Sequence, residues 1–325
     1  MATQILKAAP SLGSLYGRAA TGAARAALGG IPGLGRGGGD RLPDAVLELS
    51  GVELRREPIL KYQHVCGFRL RDQVPPTYPH VLGFPLQMEL MTRSDFPFPA
   101  IGLVHIANRI VQYRPLLAEE RITLRAWAGG LVPHDRGRQV DLRVEATTDG
   151  ELAWSSTSTY LHREVGGSSR SAGRRPEVEE GPGAAPSPVT RWSVPGDIGR
   201  RYAAVSGDRN PIHMHDYTAK LLGMPRAIAH GMWLKARCLA DLEAHLPDAL
   251  DVEVRFKLPV FLPSRVTFAA WPEGPETHFA VRDRKGTKPH LEGAAAPAGP
   301  APRRGRRAPR GVLAQAAAVE AAARA

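Results

Sequence analysis

The sequence predicts an α+β chain built from two tandem copies of one helix-and-meander unit. The first observation is an internal echo. Pro115, Arg121, Thr123, Ala126 and Trp127 recur as Pro259, Arg265, Thr267, Ala270 and Trp271 at a constant offset of 144. A second echo, Leu82-Gly83-Phe84-Pro85 and Leu222-Gly223-Met224-Pro225, precedes it in the same order at an offset of 140. The third observation is alternation. In 252–258, Val252, Val254, Phe256 and Leu258 fall on one side and Glu253, Arg255 and Lys257 on the other, as a half-buried strand requires.

The elements follow in the same order in each copy. A Leu-Gly-x-Pro turn leads into a helical stretch over 86–91 in the first copy and 227–246 in the second. Ile228, Met232, Leu234, Leu239, Leu242 and Leu246 give the second stretch an apolar pattern of helical period. Strands are predicted at 104–113, 121–127, 138–147 and 152–162 in the first copy, and at 252–258, 265–271 and 276–282 in the second. A helix followed by an antiparallel meander buries its apolar stripe against one sheet face.

Composition divides the 325 residues into five segments. Residues 1–44 are Ala- and Gly-rich and are expected to form a flexible or loosely docked arm, because the repeated glycines oppose one continuous helix. Residues 45–164 form the first repeat. Residues 165–189, rich in Gly, Ser, Pro and charge, read as a linker. Residues 190–292 form the second repeat, and 293–325 read as a disordered basic tail. The net charge of +11 is carried mainly by the two ends, +3 in residues 1–44 and +5 in 293–325. The body is nearly neutral, so specific nucleic-acid binding is not expected. The two cysteines, Cys66 and Cys238, make neither a disulfide framework nor a metal-ligand spacing. No apolar run is long enough for a transmembrane helix. A cytoplasmic setting fits these features.

Chemistry concentrates in one stretch: Tyr202-Ala203-Ala204-Val205-Ser206-Gly207-Asp208-Arg209-Asn210-Pro211-Ile212-His213, followed by Ile228-Ala229-His230-Gly231-Met232. Ser206-Gly207-Asp208 and Asn210-Pro211 are turn signals, and they present an acid and an imidazole outside regular structure. A short helix is expected from His213 to Gly223. Asp208 and His213 can bracket one water between two proton-transfer groups. Taken alone, Asp208 is an ordinary turn or cap residue and His213 an ordinary surface or core histidine. The stretch as a whole is more specific: it resembles the signature of MaoC-like (R)-specific enoyl hydratases, the hydratase 2 motif. Met224 departs from the aromatic usual there, which alters a pocket wall.

The resemblance implies a double hot dog fold and reversible hydration of trans-2-enoyl thioesters to (R)-3-hydroxyacyl thioesters. It assigns catalysis to Asp208 and His213, either of which serves as acid or base because the reaction runs both ways. It implies substrate-binding roles for Ser206, Asn210 and Gly231, with the Gly231 N–H at a helix start facing the thioester oxygen and Asn210 orienting His213 or the water. His230 is read as structural. No metal and no cofactor are implied. The partner is a thioester of CoA or of acyl carrier protein, and a homodimer is compatible with the family. At the 140 offset Asp208 falls on Phe68, His213 on Gln73 and His230-Gly231 on Leu90-Met91. The first repeat is therefore expected to be non-catalytic and to accommodate the acyl tail, with His80 and His105 uninvolved. Two other readings are a hot dog acyl thioesterase, which does not need the Asn-Pro-Ile-His element, and a non-catalytic acyl-thioester-binding subunit, which would have lost the pair.

Overall fold

The structure, a computed structural model, describes residues 1–28, 39, 41–163 and 189–302. It opens with β1 (Ala2–Ile5) and α1 (Leu12–Leu28). The first half then runs β2 (Ala45–Glu53), α2 (Arg56–Cys66), α3 (Tyr78–Met91), β3 (Val104–Gln112), β4 (Arg121–His134), β5 (Gly137–Thr148) and β6 (Glu151–Arg163). The second half runs β7 (Val189–Val194), α4 (Ile198–Ser206), α5 (Pro211–Met214), α6 (Asp216–Leu221), α7 (Gly231–Leu242), β8 (Leu250–Phe256), β9 (Ser264–Glu273), β10 (Glu276–Asp283) and β11 (Pro289–Pro297). Among the described residues all strands join one 11-stranded sheet in the order β1-β2-β4-β5-β6-β3-β8-β11-β10-β9-β7. The expected double hot dog is present: two helix-on-sheet repeats whose sheets meet edge to edge at β3 and β8.

The echo at offset 144 is a structural equivalence. Arg121 opens β4 and Arg265 is the second residue of β9, and Ile122 and Leu124 are buried, as are Val266 and Phe268. The echo at offset 140 splits. It holds where α2 and α4 end, since Gly67 (φ 84) and Gly207 (φ 73) are left-handed caps whose N–H groups donate to Gln63 O and Ala203 O. Phe68 therefore occupies the place of Asp208. It fails further on. Leu82-Gly83-Phe84-Pro85 lies inside α3, whereas Leu222-Gly223-Met224-Pro225 lies in a loop before α7. The second half inserts α5 and α6 there, so the start of α7 at His230-Gly231 corresponds to the start of α3 at Thr77-Tyr78, not to Leu90-Met91.

Two segment boundaries are corrected as well. The arm expected over 1–44 is ordered and docked through residue 28: β1 pairs in parallel with β2, and Leu15 and Ala19 enter the core. Residues 293–297, assigned to the tail, belong to β11, where Gly293 pairs with Val254 and Pro297 with Leu250. Gly293 is needed there because a Cβ would meet the Phe279 ring at 2.5 Å. The predicted basic run at 303–310 and most of the linker lie outside the described residues.

The two halves are bound at their shared edge. Ala107↔Arg255 through Gln112↔Leu250 pair antiparallel, and Arg109 grips Asp251 through Nε to Oδ1 at 2.9 Å and Nη2 to Oδ2 at 2.5 Å. Beneath this seam lies Lys235 of α7, fully buried. Its ammonium donates to Asn108 O at 3.1 Å, Asn108 Oδ1 at 2.7 Å and Val252 O at 3.1 Å. Burial pulls the ammonium down to about 7, against the upward pull of Glu253 and Asp251. Asn108 Nδ2 continues the network to Ser156 and Ser158 on β6. Lys235→Met removes three donors and leaves the Asn108 side-chain oxygen buried without its donor. Such an orphaned group costs about 1–3 kcal/mol before relaxation. The expected loss in urea unfolding is about 2–4 kcal/mol, a core-replacement scale; stability within experimental error of wild type would show that the network contributes nothing.

Candidate active site

The candidate site forms where three pieces of chain meet: the turn after α4, the start of α7 and α1. Gly207 takes a left-handed φ of 73° to reverse the chain, and Leu12 of α1 fills the space a Cβ would need. This turn delivers Asp208. Its N–H donates to Ser206 Oγ at 3.2 Å, and its Oδ1 accepts the Asn210 N–H at 3.1 Å. Asn210 caps α5, its Oδ1 accepting the Ile212 N–H at 3.4 Å and its carbonyl accepting the His213 N–H at 3.0 Å. Pro211 at the first helical position suits that start.

His213 is fixed from behind. Its Nδ1 lies 2.8 Å from Ile228 O, and a carbonyl only accepts, so Nδ1 carries the proton and Nε2 keeps a lone pair. His230 stacks on it with ring centroids 3.7 Å apart and planes at 27°. His230 Nε2 lies 2.9 Å from the Asp208 carbonyl, so it too is a donor, and its Nδ1 is buried without a partner. A ring nitrogen of each histidine and a carboxylate oxygen of Asp208 lie within 4.8 Å of one another. That span admits a water touching both Asp208 and His213. It suits a metal poorly, because nearly parallel stacked rings direct their lone pairs alongside each other, whereas an ion needs them to converge.

Electrostatics set the protonation states. Burial raises the Asp208 carboxyl, but His230, His213, the Asn210 N–H and the Tyr16 hydroxyl outweigh it and hold it below the ordinary carboxylate range. Burial pulls His213 below the usual imidazole value, with Asp208 and the Ile228 carbonyl opposing. Burial and then His213 bring His230 down to about 3. At neutral pH the site holds a carboxylate and two neutral imidazoles.

Gly231 begins α7, where first-turn N–H groups have no intrahelical acceptor and the helix dipole is positive. The residue must be small. A Cβ would meet the Phe256 ring at 2.9 Å. The five residues read from sequence are thus brought together, but not in equal roles. Asp208 and His213 bring polar atoms within 4.8 Å of each other, and Gly231 follows His230 at the start of α7. Ser206 and Asn210 hydrogen-bond to the turn itself, so Asn210 acts on His213 through the helix cap and not on its ring. His230, read as structural, is part of the site's framework.

Sequence reading missed Tyr16. Its hydroxyl donates to Asp208 Oδ1 at 3.1 Å and accepts the Arg209 N–H at 2.6 Å. Burial, reinforced by the Asp208 charge, pushes this phenol well above its ordinary value, so it stays a donor. No spacing rule links positions so far apart; only the docking of α1 brings them together.

Comparison with known proteins identifies the family. The family described as MaoC like domain matches residues 176–294. The chain is 40% identical over 240 residues to 3-hydroxyacyl-thioester dehydratase X of Mycobacterium tuberculosis, covering 74% of this chain and 84% of that protein. The chain belongs to the MaoC-like dehydratase family. A peroxisomal enoyl-CoA hydratase 2 of Arabidopsis thaliana is 26% identical over 221 residues, covering 61% of this chain and 69% of that protein. The crystal structure of HtdX from Mycobacterium tuberculosis superposes with a TM-score of 0.68 and 37% identity, over 77% of this chain and 99% of that one. A MaoC-like dehydratase from Phytophthora capsici shares the fold, with a TM-score of 0.64 at 18% identity over 79% of this chain and 96% of that one. Among the described residues no helix is long and apolar enough to cross a membrane.

The Tyr16 contact has a direct test. Tyr16→Phe removes one of the hydrogen bonds that hold Asp208 ionised, so the Asp208 pKa rises. Carboxyl-carbon NMR titration of wild type and variant reads this shift; an unmoved Asp208 titration contradicts the contact.

Proposed function

We propose that the protein interconverts trans-2-enoyl thioesters and (R)-3-hydroxyacyl thioesters by adding or removing one water at the Asp208–His213 pair. One observation carries the reading: a carboxylate oxygen of Asp208 and a ring nitrogen of His213, ionised and neutral respectively at neutral pH, lie within 4.8 Å of each other, close in sequence to the start of α7. Both groups accept hydrogen bonds. A water between them donates one hydrogen to each and turns its oxygen lone pair toward the substrate.

In hydration that oxygen attacks C3, and the C3–O bond forms. The C2=C3 pair moves toward the carbonyl, whose oxygen gains charge. The Gly231 N–H, at the positive end of α7, stabilises that charge. His213 Nε2, the more basic of the two acceptors, takes the proton leaving water, and the Asp208 carboxylate stabilises the imidazolium. His213 then returns the proton to C2. Dehydration runs through the same states in reverse. Atoms balance with one water and no cofactor. Names of the relatives support the reaction type, and the substrate is an acyl thioester of CoA or acyl carrier protein. Acid–imidazole placement next to a helix start favours this over thioester hydrolysis, which has no use for a proton delivered to C2.

The activity of Asp208→Asn and of His213→Asn is expected to fall about 10²–10⁴-fold in hydration of trans-2-enoyl-CoA, the scale of general acid–base catalysis. Circular dichroism checks that each variant is folded. Near wild-type turnover in either folded variant contradicts the site. The pH profile follows from the shifts. Protonating His213 removes its lone pair, and its folded pKa is lowered, so kcat/KM stays level from neutral pH upward and declines only on the acid side of the ordinary imidazole value, about 6.5. A decline beginning above pH 7 contradicts the assigned protonation states.

A further inference from the structure

The first half turns a polar wall toward the site, and the mechanism above does not use it. His80 and Gln87 sit on α3 seven residues apart, close to two turns, and therefore on one helix face. His105 on β3 pairs with Tyr160 on β6. The His105 and Tyr160 rings stack at 4.6 Å, His80 stacks on His105 at 6.3 Å, and the Tyr160 hydroxyl lies 3.5 Å from Gln87 Oε1. The cluster reaches the reaction centre: His105 lies 5.0 Å from Phe256, the ring that Gly231 makes room for, and the Asp208 charge is felt by His80, His105 and Tyr160.

Three of its polar atoms have no partner. His80 Nδ1, His105 Nε2 and Gln87 Nε2 are all out of solvent and make no hydrogen bond. Gln87 is fully buried and His80 nearly so. A core gains nothing from such groups, each of which costs about 1–3 kcal/mol when left unpaired. An apolar acyl chain along this wall would leave them unpaired too. A chain bearing oxygen would satisfy them. The charge of that oxygen is also constrained. Burial brings His80 to about 4 and His105 to about 3, so both are neutral at pH 7, beside an ionised Asp208. A second carboxylate would meet the ionised Asp208, and the Lys235 ammonium, whose charge also lowers both imidazoles, is already taken up by its three oxygen acceptors.

We propose that His80, Gln87, His105 and Tyr160 form a polar subsite that selects enoyl thioesters carrying a neutral oxygen, a hydroxyl or keto group, on the acyl chain. Gln87 Nε2 offers a donor, and the neutral imidazoles offer either a donor or an acceptor according to tautomer. The proposal rests on the hydratase reading and names its substrate class.

The test compares eight-carbon trans-2-enoyl-CoA substrates, unsubstituted or bearing a hydroxyl or keto group at successive positions from C5. At least one oxygenated member is expected to exceed the plain substrate in kcat/KM by about tenfold, the worth of one satisfied buried hydrogen bond. Gln87→Met and His105→Phe, which keep bulk and remove the polar atoms, bring that ratio close to one. Thermal melting provides a second readout: Gln87→Met, which deletes the unpaired Nε2 together with the long 3.5 Å contact from the Tyr160 hydroxyl, melts within error of wild type. Should Gln87→Met fail to fold, His80→Phe takes its place. A wild-type ratio near one for every member overturns the subsite while leaving hydration of the plain substrate intact. Equal losses on plain and oxygenated substrates also overturn it, since the wall would then serve the shared thioester end or the fold. Hydration of no member overturns both this proposal and the hydratase reading.

Discussion

Lys235 is the constraint on which the arrangement depends. A buried ammonium is tolerated only when every N–H finds an acceptor, and this one finds three, two of them across the boundary between the halves. Two acceptors belong to Asn108 on β3 and one to Val252 on β8. The rest of α7 is tied to the first half as well. Trp233 Nε1 donates to Val65 O at 3.2 Å, and Glu243, just past the helix end, pairs with Arg71 at 2.7 Å. The helix that presents Gly231 is thus positioned by the half without the acid–imidazole pair. This gives the duplication a physical purpose. In the proposed mechanism one repeat supplies the proton-transfer groups, and the other fixes the axis of the helix whose first N–H meets the developing charge.

The site is composite in a second sense. Asp208 stands in a turn whose backbone is satisfied locally by Ser206 and Asn210, but its carboxylate is finished by Tyr16 from α1. His213 and His230 are each pinned by a backbone carbonyl, which fixes both tautomers without a second carboxylate. These constraints hold Asp208, His213 and His230 near one another before substrate arrives, so the proposed reaction requires little reorganisation.

Much of this was legible in the sequence because it depends on local pattern. The strand at β8, the echoed strands β4 and β9, and the Asn-Pro turn before His213 all express short-range periodicity or turn chemistry, although the alternation expected over 252–258 fails at Glu253, which is buried, and at Leu258, which is exposed beyond the strand. What escaped has identifiable reasons. β7 is an edge strand with only Trp192 and Val194 buried, so it lacks a clean alternation. β11 ends in a run of small residues resembling a tail, yet Gly293 is small because Phe279 packs on it. In α1, glycines masked a helix whose stability comes from burying Leu15 and Ala19 and not from propensity. The Leu-Gly-x-Pro echo misled because the same letters lie inside a helix in one half and in a loop in the other. Tyr16 and the polar wall of His80, Gln87 and His105 depend on tertiary contact alone.

At the centre of the account is one water held on one face of the double bond by Asp208 and His213, with His213 passing that water's proton to C2. Hydration of a trans-2-enoyl-CoA in deuterated water tests this most directly, because the product records the face of each new bond. Proton NMR coupling between C2 and C3 distinguishes the two diastereomers. The account requires the new hydroxyl and the new deuterium on the same face. Addition to opposite faces would require a proton donor across the substrate from Asp208 and His213, and would contradict it.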